Sequence, residues 1–183
     1  MRIVSGKHKS LRITAPKKLP VRPTTDMAKE GLFNILNNSY YFEDLTILDL
    51  FAGTGNISYE FASRGTSEII AVDANHGCIK FINKTSEELQ MDISTIKSDV
   101  FKYLERQKGK FDIIFADPPY DLPFEDFCKI VALVFANNML AEDGQLIIEH
   151  FKQTNLSEQE HFTKLKKYGS SAFSFFNATA SEN

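Results

Sequence analysis

The amino-acid sequence predicts an α/β protein: a mixed β-sheet with helices on both of its faces. From residue 45 onward, short apolar, β-branched runs alternate with helix-like segments, an order typical of parallel strands joined by crossover helices. The last two runs are separated only by Tyr168-Gly169-Ser170-Ser171, which leaves no room for a crossover helix, so we expect a hairpin and one antiparallel strand. With 183 residues, 43% of them hydrophobic, the chain can bury the core of one domain.

The predicted elements begin with a small hairpin, made by residues 2–5 and 11–14 around a Gly6-Lys7-His8-Lys9 turn. Prolines then keep the chain extended until a helix starts, which Thr24 or Thr25 can cap. The strand-like runs that follow are Leu45–Phe51, Glu68–Asp73, Ile93–Lys97, Phe111–Asp117, Gln145–Glu149, Phe162–Lys167 and Ala172–Phe176. The helix-like segments among the first five of these runs lie at about 56–64, 75–90, 99–107 and 124–138.

These elements make a single domain over residues 1–183. Within it we expect a basic hairpin and extended arm at 1–23, a catalytic core at 24–176 and a frayed tail at 177–183. No apolar run reaches the length of a membrane span, and the first ten residues lack the apolar stretch of a signal peptide. We therefore expect a cytoplasmic monomer that does not bind a membrane. The cysteines and histidines show no metal-ligand spacing, so no metal site is expected.

The charge of the chain is unevenly distributed. The formal net charge is −3, yet residues 1–30 hold eight Lys or Arg against two acidic residues, a net +6, which leaves −9 for the remainder. This asymmetry is typical of a segment that binds a polyanion, although a merely solvated basic segment would look the same. The cations of this segment that are candidates for phosphate contacts are Arg2, Lys7, Lys9, Arg12, Lys17, Lys18 and Arg22.

The first candidate site segment runs from Asp49 to Gly55 (Asp-Leu-Phe-Ala-Gly-Thr-Gly), between the first parallel strand and a helix. Glycines here let the backbone approach a ligand closely, and the helix N-terminus offers free N–H groups. A dinucleotide fingerprint would have a third glycine where this chain has Ser58, so the segment suits a ligand without a pyrophosphate better. By itself the segment could also be an ordinary strand-to-helix turn.

Acidic residues end the next two strands. Asp73 follows the glycines by about 20 residues, the place where a carboxylate accepts hydrogen bonds from ribose hydroxyls. Asp99, which Val100 follows, ends the third strand, where it could also serve only as a helix N-cap. Because the carboxyl ends of parallel strands share one edge of a sheet, these segments together predict a nucleoside-bearing ligand in the crevice where the strand order reverses.

The most specific segment is Asp117-Pro118-Pro119-Tyr120, after the fourth strand. Its two prolines stiffen the loop and remove two backbone donors. An aspartate, a rigid carbonyl at Pro118 and an aromatic ring at Tyr120 suit a planar base with an exocyclic amine. Asp117 and the Pro118 carbonyl would accept hydrogen bonds from the amine and orient its lone pair toward an electrophile, while Tyr120 would stack on the base. A plain loop with a packed tyrosine is the alternative.

Taken together, these segments resemble class I S-adenosylmethionine-dependent methyltransferases that modify exocyclic amines, and more closely the RsmD family of 16S rRNA (guanine-N2)-methyltransferases. The segments that carry this closer resemblance are Met1–Gly6 (MRIVSG), Arg22–Asp26 (RPTTD), Lys29–Leu36 (KEGLFNIL), Leu48–Gly55 (LDLFAGTG) and Lys167–Gly169 (KYG). The motif around Asp117 is shared with many adenine and guanine methylases, whereas the segment around Arg22 is far more specific to this family.

The resemblance covers essentially the whole chain and implies a Rossmann-like fold, with sheet order 3-2-1-4-5-7-6, only the seventh strand antiparallel and the N-terminal hairpin as an appendage. It implies methylation of N2 of one guanine in 16S rRNA, with S-adenosyl-L-methionine as cofactor and a partly assembled small ribosomal subunit as partner. By position, the cofactor-binding residues would be Asp49, Phe51, Gly53 and Gly55 at its methionine end, Asp73 at its ribose, and Asp99 with Val100 at its adenine. Asp117, Pro118 and Tyr120 would hold the target guanine, and the basic segment would bind RNA.

Three alternatives stay open at this point. Asp-Pro-Pro-Tyr serves adenine-N6 methylases of RNA or DNA equally well, although the chain has no spare residues for the target-recognition domain of a DNA enzyme. A catalytically idle RNA-binding or assembly factor could retain the fold, and the intact Asp117–Tyr120 segment argues against it. An NAD-dependent oxidoreductase is disfavoured by Ser58. We give His150, next to Glu149, no role.

Overall fold

The centre of the computed structural model, which describes residues 1–19 and 24–178, is a seven-stranded sheet of order β3-β2-β1-β4-β5-β7-β6. Strands β1 to β5 pair in parallel, and β7 pairs antiparallel with both β5 and β6. The predicted strand order and the single reversed strand are confirmed. The strands are β1 (Thr46–Leu50), β2 (Glu68–Asp73), β3 (Ile93–Lys97), β4 (Phe111–Ala116), β5 (Leu140–Phe151), β6 (Phe162–Tyr168) and β7 (Ser171–Asn177).

Five α-helices in the described ranges accompany the strands, and a single 3-10 turn at Phe42–Asp44 precedes β1. The first of them, α1, begins one residue after Thr25, whose hydroxyl accepts a hydrogen bond from the N–H of Ala28, so Thr25 and not Thr24 is the cap. The helices are α1 (Asp26–Leu36), α2 (Asn56–Ser63), α3 (His76–Leu89), α4 (Val100–Arg106) and α5 (Phe124–Ala136). They confirm the predicted helical segments.

Strand β5 extends beyond the predicted 145–149 at both ends, and its first residues pair irregularly with β4. Phe111 of β4 faces Leu140, but Ile113 already faces Gln145, so β5 carries extra residues between these two pairs. Gly144 lies in this bulge, and a Cβ there would come within 2.8 Å of the Phe111 carbonyl oxygen. A side chain at this position would therefore disrupt the bulge, and the lone glycine marks it in the sequence.

Alternate residues of the central strands enter cores on opposite faces of the sheet. On one face, β-strand residues such as Leu48 and Ile114 pack with α4 and α5. On the other, residues such as Ile47 and Phe115 pack with α1 and α2, and α3 contributes Ile82 to a third cluster beside them. Because successive strand residues point to opposite faces, near-continuous apolar runs are what a sheet covered on both sides requires.

The N-terminal hairpin is integrated into the domain through one of its faces. Its pairing is limited to a bridge between Arg2 and Arg12 with a few further backbone bonds, so it is not a pair of regular strands. Ile3 and Ile13, on its inner face, are buried in a cluster with Tyr59 of α2 and Ile82 of α3. Residues 20–23, with the predicted extended segment and Arg22, and residues 179–183, with most of the predicted tail, lie outside the described residues.

None of the helices in the described part of the chain combines the length and the apolar character needed to cross a bilayer.

Candidate active site

A cavity of about 460 Å³ opens at the carboxyl ends of β1 to β4, where the sheet order reverses between β1 and β4. Its volume lies within the range of small-molecule sites. Nine of the ten residues that the sequence predicted for cofactor and target base line this cavity: Asp49, Phe51, Gly53, Asp73, Asp99, Val100, Asp117, Pro118 and Tyr120. The tenth, Gly55, lies outside its wall.

The turn from β1 into α2 is held in left-handed backbone conformations. Phe51 has a φ of 56°, Gly53 of 54° and Gly55 of 82°, and such a φ is costly at a residue like Phe51. Gly55 has a structural reason of its own, since a Cβ there would lie 2.9 Å from Cζ of Tyr59 and 3.0 Å from Cγ1 of Ile82. Gly55 therefore lets α2 begin close to α3, and its predicted contact with a ligand stays a prediction.

Asp73 is fixed at the edge of the cavity by two backbone donors. Its Oδ2 accepts a hydrogen bond from the N–H of Gly53 at 2.8 Å, and its Oδ1 accepts one from the N–H of Asn75 at 2.7 Å. Because each carboxylate oxygen has a second lone pair, Asp73 can still accept from the hydroxyls of a ribose. Asp73, which is predicted to bind the ribose hydroxyls, thus also connects the glycine loop to the end of β2.

Asp99 combines the two roles that its sequence position allowed. Its Oδ1 accepts a hydrogen bond from the N–H of Lys102 at 3.0 Å and caps α4. The residue is exposed and also lines the cavity, together with Val100. Capping therefore holds Asp99 in place beside a ligand, so the structural role does not exclude the binding role.

Asp49 is buried, 2% exposed, and bonded to Ser58. Its Oδ2 accepts hydrogen bonds from the hydroxyl of Ser58 at 2.5 Å and from the N–H of Ser58 at 3.2 Å. Burial raises the pKa of Asp49 to about 7, against the opposing effect of the Ser58 hydrogen bonds. Sequence reasoning noted Ser58 only as a missing glycine. In the structure it is the residue that orients the first cavity carboxylate.

The Asp117 loop meets the other end of the cavity. The N–H of Asp117 bonds to the carbonyl of Leu50 at 3.3 Å, which ties the loop to β1. Burial, with further contributions from the nearby carboxylates of Glu149 and Asp49, raises the pKa of Asp117 well above its usual range. Acidic side chains that repel each other across a cleft are typical of functional sites.

Tyr120 stacks on Phe151, the last residue of β5, with ring centroids 4.1 Å apart and an interplanar angle of 22°. No signal in the sequence pointed to Phe151, because the two residues are far apart in the chain. A ring held in this way keeps a flat face in a fixed plane, as the predicted stacking on a base requires.

Two further residues that line the cavity, Thr24 and Asn56, were not predicted as site residues from the sequence. Thr24 was considered only as a helix cap, yet its hydroxyl donates to Oε2 of Glu149 at 2.7 Å. The Nδ2 group of Asn56 donates to the carbonyl of Thr24 at 3.1 Å. The only available signal was the position of Thr24 within the Arg22–Asp26 segment that carries the family resemblance.

The basic segment contains cations of three kinds. Lys29 is buried, 1% exposed, and its Nζ lies 2.9 Å from Oε1 of Glu60, so it cannot reach a phosphate. Arg2 is paired with Asp26 at 2.9 Å and with Glu30 at 3.3 Å. The predicted cations that are exposed are Lys7, Lys9, Arg12, Lys17 and Lys18, and Arg22 lies outside the described residues.

His150 and the thiols have structural surroundings. The ring of His150, 1% exposed, contacts the carbonyl of Phe151 at 2.7 Å and the hydroxyl of Ser174 at 2.8 Å, and burial lowers its pKa. Cys78 and Cys128 are not in disulfides. Across residues 1–19 and 24–178, no three His, Cys, Asp or Glu side chains are grouped so as to hold a metal ion.

The donors and acceptors around the cavity fit S-adenosylmethionine. Three of the aspartates that line it, Asp49, Asp73 and Asp99, complement a ligand that carries a sulfonium and an ammonium group, and carboxylates also accept from ribose hydroxyls and from an adenine amine. The sheet has the strand order of the class I S-adenosylmethionine-dependent methyltransferases, with the seventh strand reversed. Its ligand crevice lies where the strand order reverses, as in that class. The fold and the site therefore define a class I S-adenosylmethionine-dependent methyltransferase.

Comparison with known proteins identifies a family within this class of methyltransferases. The model of a family described as "Conserved hypothetical protein 95" matches residues 1–177. The "Putative rRNA methyltransferase YlbH" of Bacillus subtilis is 34% identical over 164 residues, 86% of each chain. The "Ribosomal RNA small subunit methyltransferase D" of Buchnera aphidicola is 29% identical over 156 residues, 85% of this chain and 78% of that protein.

A solved structure agrees over nearly the whole chain. The "Putative methyltransferase yhhF from Escherichia coli" superposes with a TM-score of 0.79 and 25% identity, covering 97% of both chains. The chain belongs to this family of methyltransferases, and the resemblance to RsmD is confirmed.

Proposed function

We propose that the protein transfers a methyl group from S-adenosylmethionine to the exocyclic N2 amine of one guanine in small-subunit ribosomal RNA. The observation that carries this proposal is the placement of Asp117, Pro118 and Tyr120 in the same cavity as Asp49, Asp73 and Asp99. One cavity thus has acceptors for a cationic nucleoside cofactor at one end and the elements of an amine-and-base site at the other.

The chain's own residues prepare the amine for attack. The Asp117 carboxylate and the Pro118 carbonyl accept hydrogen bonds from the two N–H groups, which turns the nitrogen lone pair toward the cofactor end of the cavity. Tyr120, held in plane by Phe151 at 4.1 Å, offers its ring for stacking on a base that has left its helix. When bound, S-adenosylmethionine supplies a methyl group on a sulfonium, and loss of that methyl leaves a neutral thioether.

The raised pKa of Asp117 is compatible with this role. Burial and the neighbouring carboxylates raise its pKa, and a cation bound in the cavity would lower it again because it favours the ionised form. Asp117 therefore accepts from the amine when a cationic cofactor is present. Its carboxylate oxygen can then take the proton that the methylated nitrogen loses, with bulk water as the other route.

The identity of the polymer is supported by the relatives and by the charge of the surface. The curated relatives named above include a small-subunit rRNA methyltransferase. Five predicted cations are exposed in the basic segment, where they can contact phosphates in a salt-dependent manner. A partly assembled small subunit in the cytoplasm belongs to this proposal as the acceptor, and the protein acts on it as a monomer.

Deletion of the gene tests the proposal, with the modified nucleosides of small-subunit RNA mapped by mass spectrometry. We expect the loss of one N2-methylguanosine, restored by the wild-type gene but not by an Asp117→Ala variant. An unchanged guanosine pattern with a missing N6-methyladenosine would show that the enzyme methylates adenine. An unchanged pattern of all methylated nucleosides would contradict methylation of this RNA altogether.

A further inference from the structure

Thr24 lies on the target-base side of the cavity. It lines the cavity with Asp117, Pro118 and Tyr120, and it is 6% exposed. Its hydrogen-bond partner, Glu149, belongs to β5, the neighbour of the strand that leads into Asp117. Asp73, at the end of β2, lies on the other side of the strand-order reversal. Thr24 is therefore placed to contact the base and not the cofactor ribose.

The hydrogen bond to Glu149 fixes what Thr24 can offer to a ligand. A hydroxyl has one hydrogen to donate and two lone pairs with which to accept. Because the Thr24 hydroxyl donates to Oε2 of Glu149 at 2.7 Å, its single hydrogen is already used. The oxygen of Thr24 can present only a lone pair to the cavity, so it acts there as an acceptor.

The backbone of Thr24 is held as firmly as its side chain. Nδ2 of Asn56 donates to the Thr24 carbonyl at 3.1 Å, and Oδ1 of the same amide accepts from Nζ of Lys29 at 2.9 Å. The buried Lys29–Glu60 pair thus fixes the orientation of the Asn56 amide. An acceptor supported in this way is preorganised, as a specificity contact requires.

We infer that Thr24 selects guanine by accepting a hydrogen bond from the N1–H of the base whose 2-amine is bound by Asp117. This inference rests on the proposed function and deepens it. N1 and the 2-amine are on adjacent atoms of the guanine ring, so one edge of the base meets Asp117 and Thr24 together. A purine with an unprotonated N1, such as adenine or 2-aminopurine, would place one lone pair against another and leave a buried acceptor unpaired.

The test uses 2-aminopurine, because this base keeps the 2-amine of guanine but lacks the N1–H. Small subunits are reconstituted with RNA that carries guanine or 2-aminopurine at the mapped target position, and kcat/KM is measured for both. We expect the wild-type protein to prefer guanine by about 10- to 100-fold. In Thr24→Val, which keeps the shape and loses the acceptor, the preference should fall to within about threefold, whereas Thr24→Ser should retain most of it.

A matched control is Thr25→Val. It removes the cap bond to Ala28 at the start of the same helix and costs stability, but it leaves Thr24 and Glu149 in place, so the preference should be unchanged. Intrinsic differences in amine reactivity cancel when the preference is compared between variants.

Equal use of both bases by the wild type, or an unchanged preference in Thr24→Val, would overturn the inference while leaving guanine methylation in place. Absence of transfer to the guanine-bearing subunit would overturn the proposed function, and this inference with it.

Discussion

Replacement of Lys29 by methionine should destabilise the protein far more than replacement of Arg2, a surface ion-paired cation of the same segment. The Lys29 ammonium is 2.9 Å from Oε1 of Glu60 and 2.9 Å from Oδ1 of Asn56, and it also bonds to the Arg2 carbonyl. Its side chain is 1% exposed and that of Glu60 0%. Lys29→Met keeps most of the apolar stem and leaves the buried Glu60 without this cation.

The structure sets the size of this effect. Removal of one partner from a buried ion pair costs about 3–5 kcal/mol because the other charge remains uncompensated. Glu60 also contacts Arg64 and the N–H of Val4, so part of its charge stays compensated and we expect about 3 kcal/mol. Arg2, whose pairs with Asp26 and Glu30 are about half exposed, should lose only about 0–1 kcal/mol on replacement by methionine.

Urea unfolding at pH 7, followed by circular dichroism, measures both variants against the wild type. The free energy of unfolding should fall by about 3 kcal/mol in Lys29→Met and by less than about 1 kcal/mol in Arg2→Met. If both variants were destabilised equally, or if Lys29→Met were destabilised by less than about 1 kcal/mol, the Lys29–Glu60 pair would not be a structural ion pair.

Four further outcomes are expected. Asp73→Ala should weaken binding of S-adenosylmethionine by about 1–3 kcal/mol, because the ribose hydroxyls lose their acceptor. Calorimetric titration measures the affinity, and an unchanged affinity would remove Asp73 from the site. In Asp117→Ala cofactor binding should survive, with at most the modest loss expected from removing a carboxylate whose ionised form a cationic ligand favours, while methyl transfer falls by a factor of about 10² or more. A loss of binding as large as the loss of transfer would contradict the role given to Asp117. The free energy of unfolding of the wild type, compared with that of Asp49→Asn, should decrease as pH rises from about 4 to 7. The reason is that the folded Asp49 carboxyl, with a pKa of about 7, retains a proton that the unfolded chain releases near 3.8. Parallel plots of unfolding free energy against pH for the two proteins would refute this. Four exposed cations can be neutralised together: Lys7, Arg12, Lys17 and Lys18. The slope of log RNA affinity against log salt concentration should then become shallower by roughly 0.7–0.9 for each phosphate that the protein no longer neutralises, while cofactor affinity, the control, stays unchanged. An unchanged slope would make the basic segment purely structural.

The arrangement of the sheet could be predicted because it depends on local pattern and on general rules of topology. Buried parallel strands read as apolar runs whatever helix covers them, and the short link between β6 and β7 allows only an antiparallel pair. The cavity edge followed from the same rules, since the carboxyl ends of neighbouring parallel strands meet there. Asp73 and Asp117 could thus be assigned to one site before any contact was known.

The roles of single polar residues depended instead on partners that the sequence does not indicate. Thr24 and Glu149 are 125 positions apart and form one hydrogen bond, and Lys29 meets Glu60 only because α1 packs against α2. Lys29 counted as a cation of the basic segment by its type, yet burial with an anion makes it a structural residue.

Gly55 is a second case in which the sequence does not indicate the distant residues that determine a role. Its place in a glycine loop predicts a ligand contact, and the structure adds a packing reason for the glycine, because Tyr59 and Ile82 occupy the space that a Cβ would need. The sequence by itself determined which elements form and which edge of the sheet carries the chemistry, because periodicity and turn residues act over short distances along the chain. Only the tertiary structure decided what each polar side chain and each glycine does there, because hydrogen bonds, ion pairs and steric contacts depend on which distant residue lies within a few ångströms.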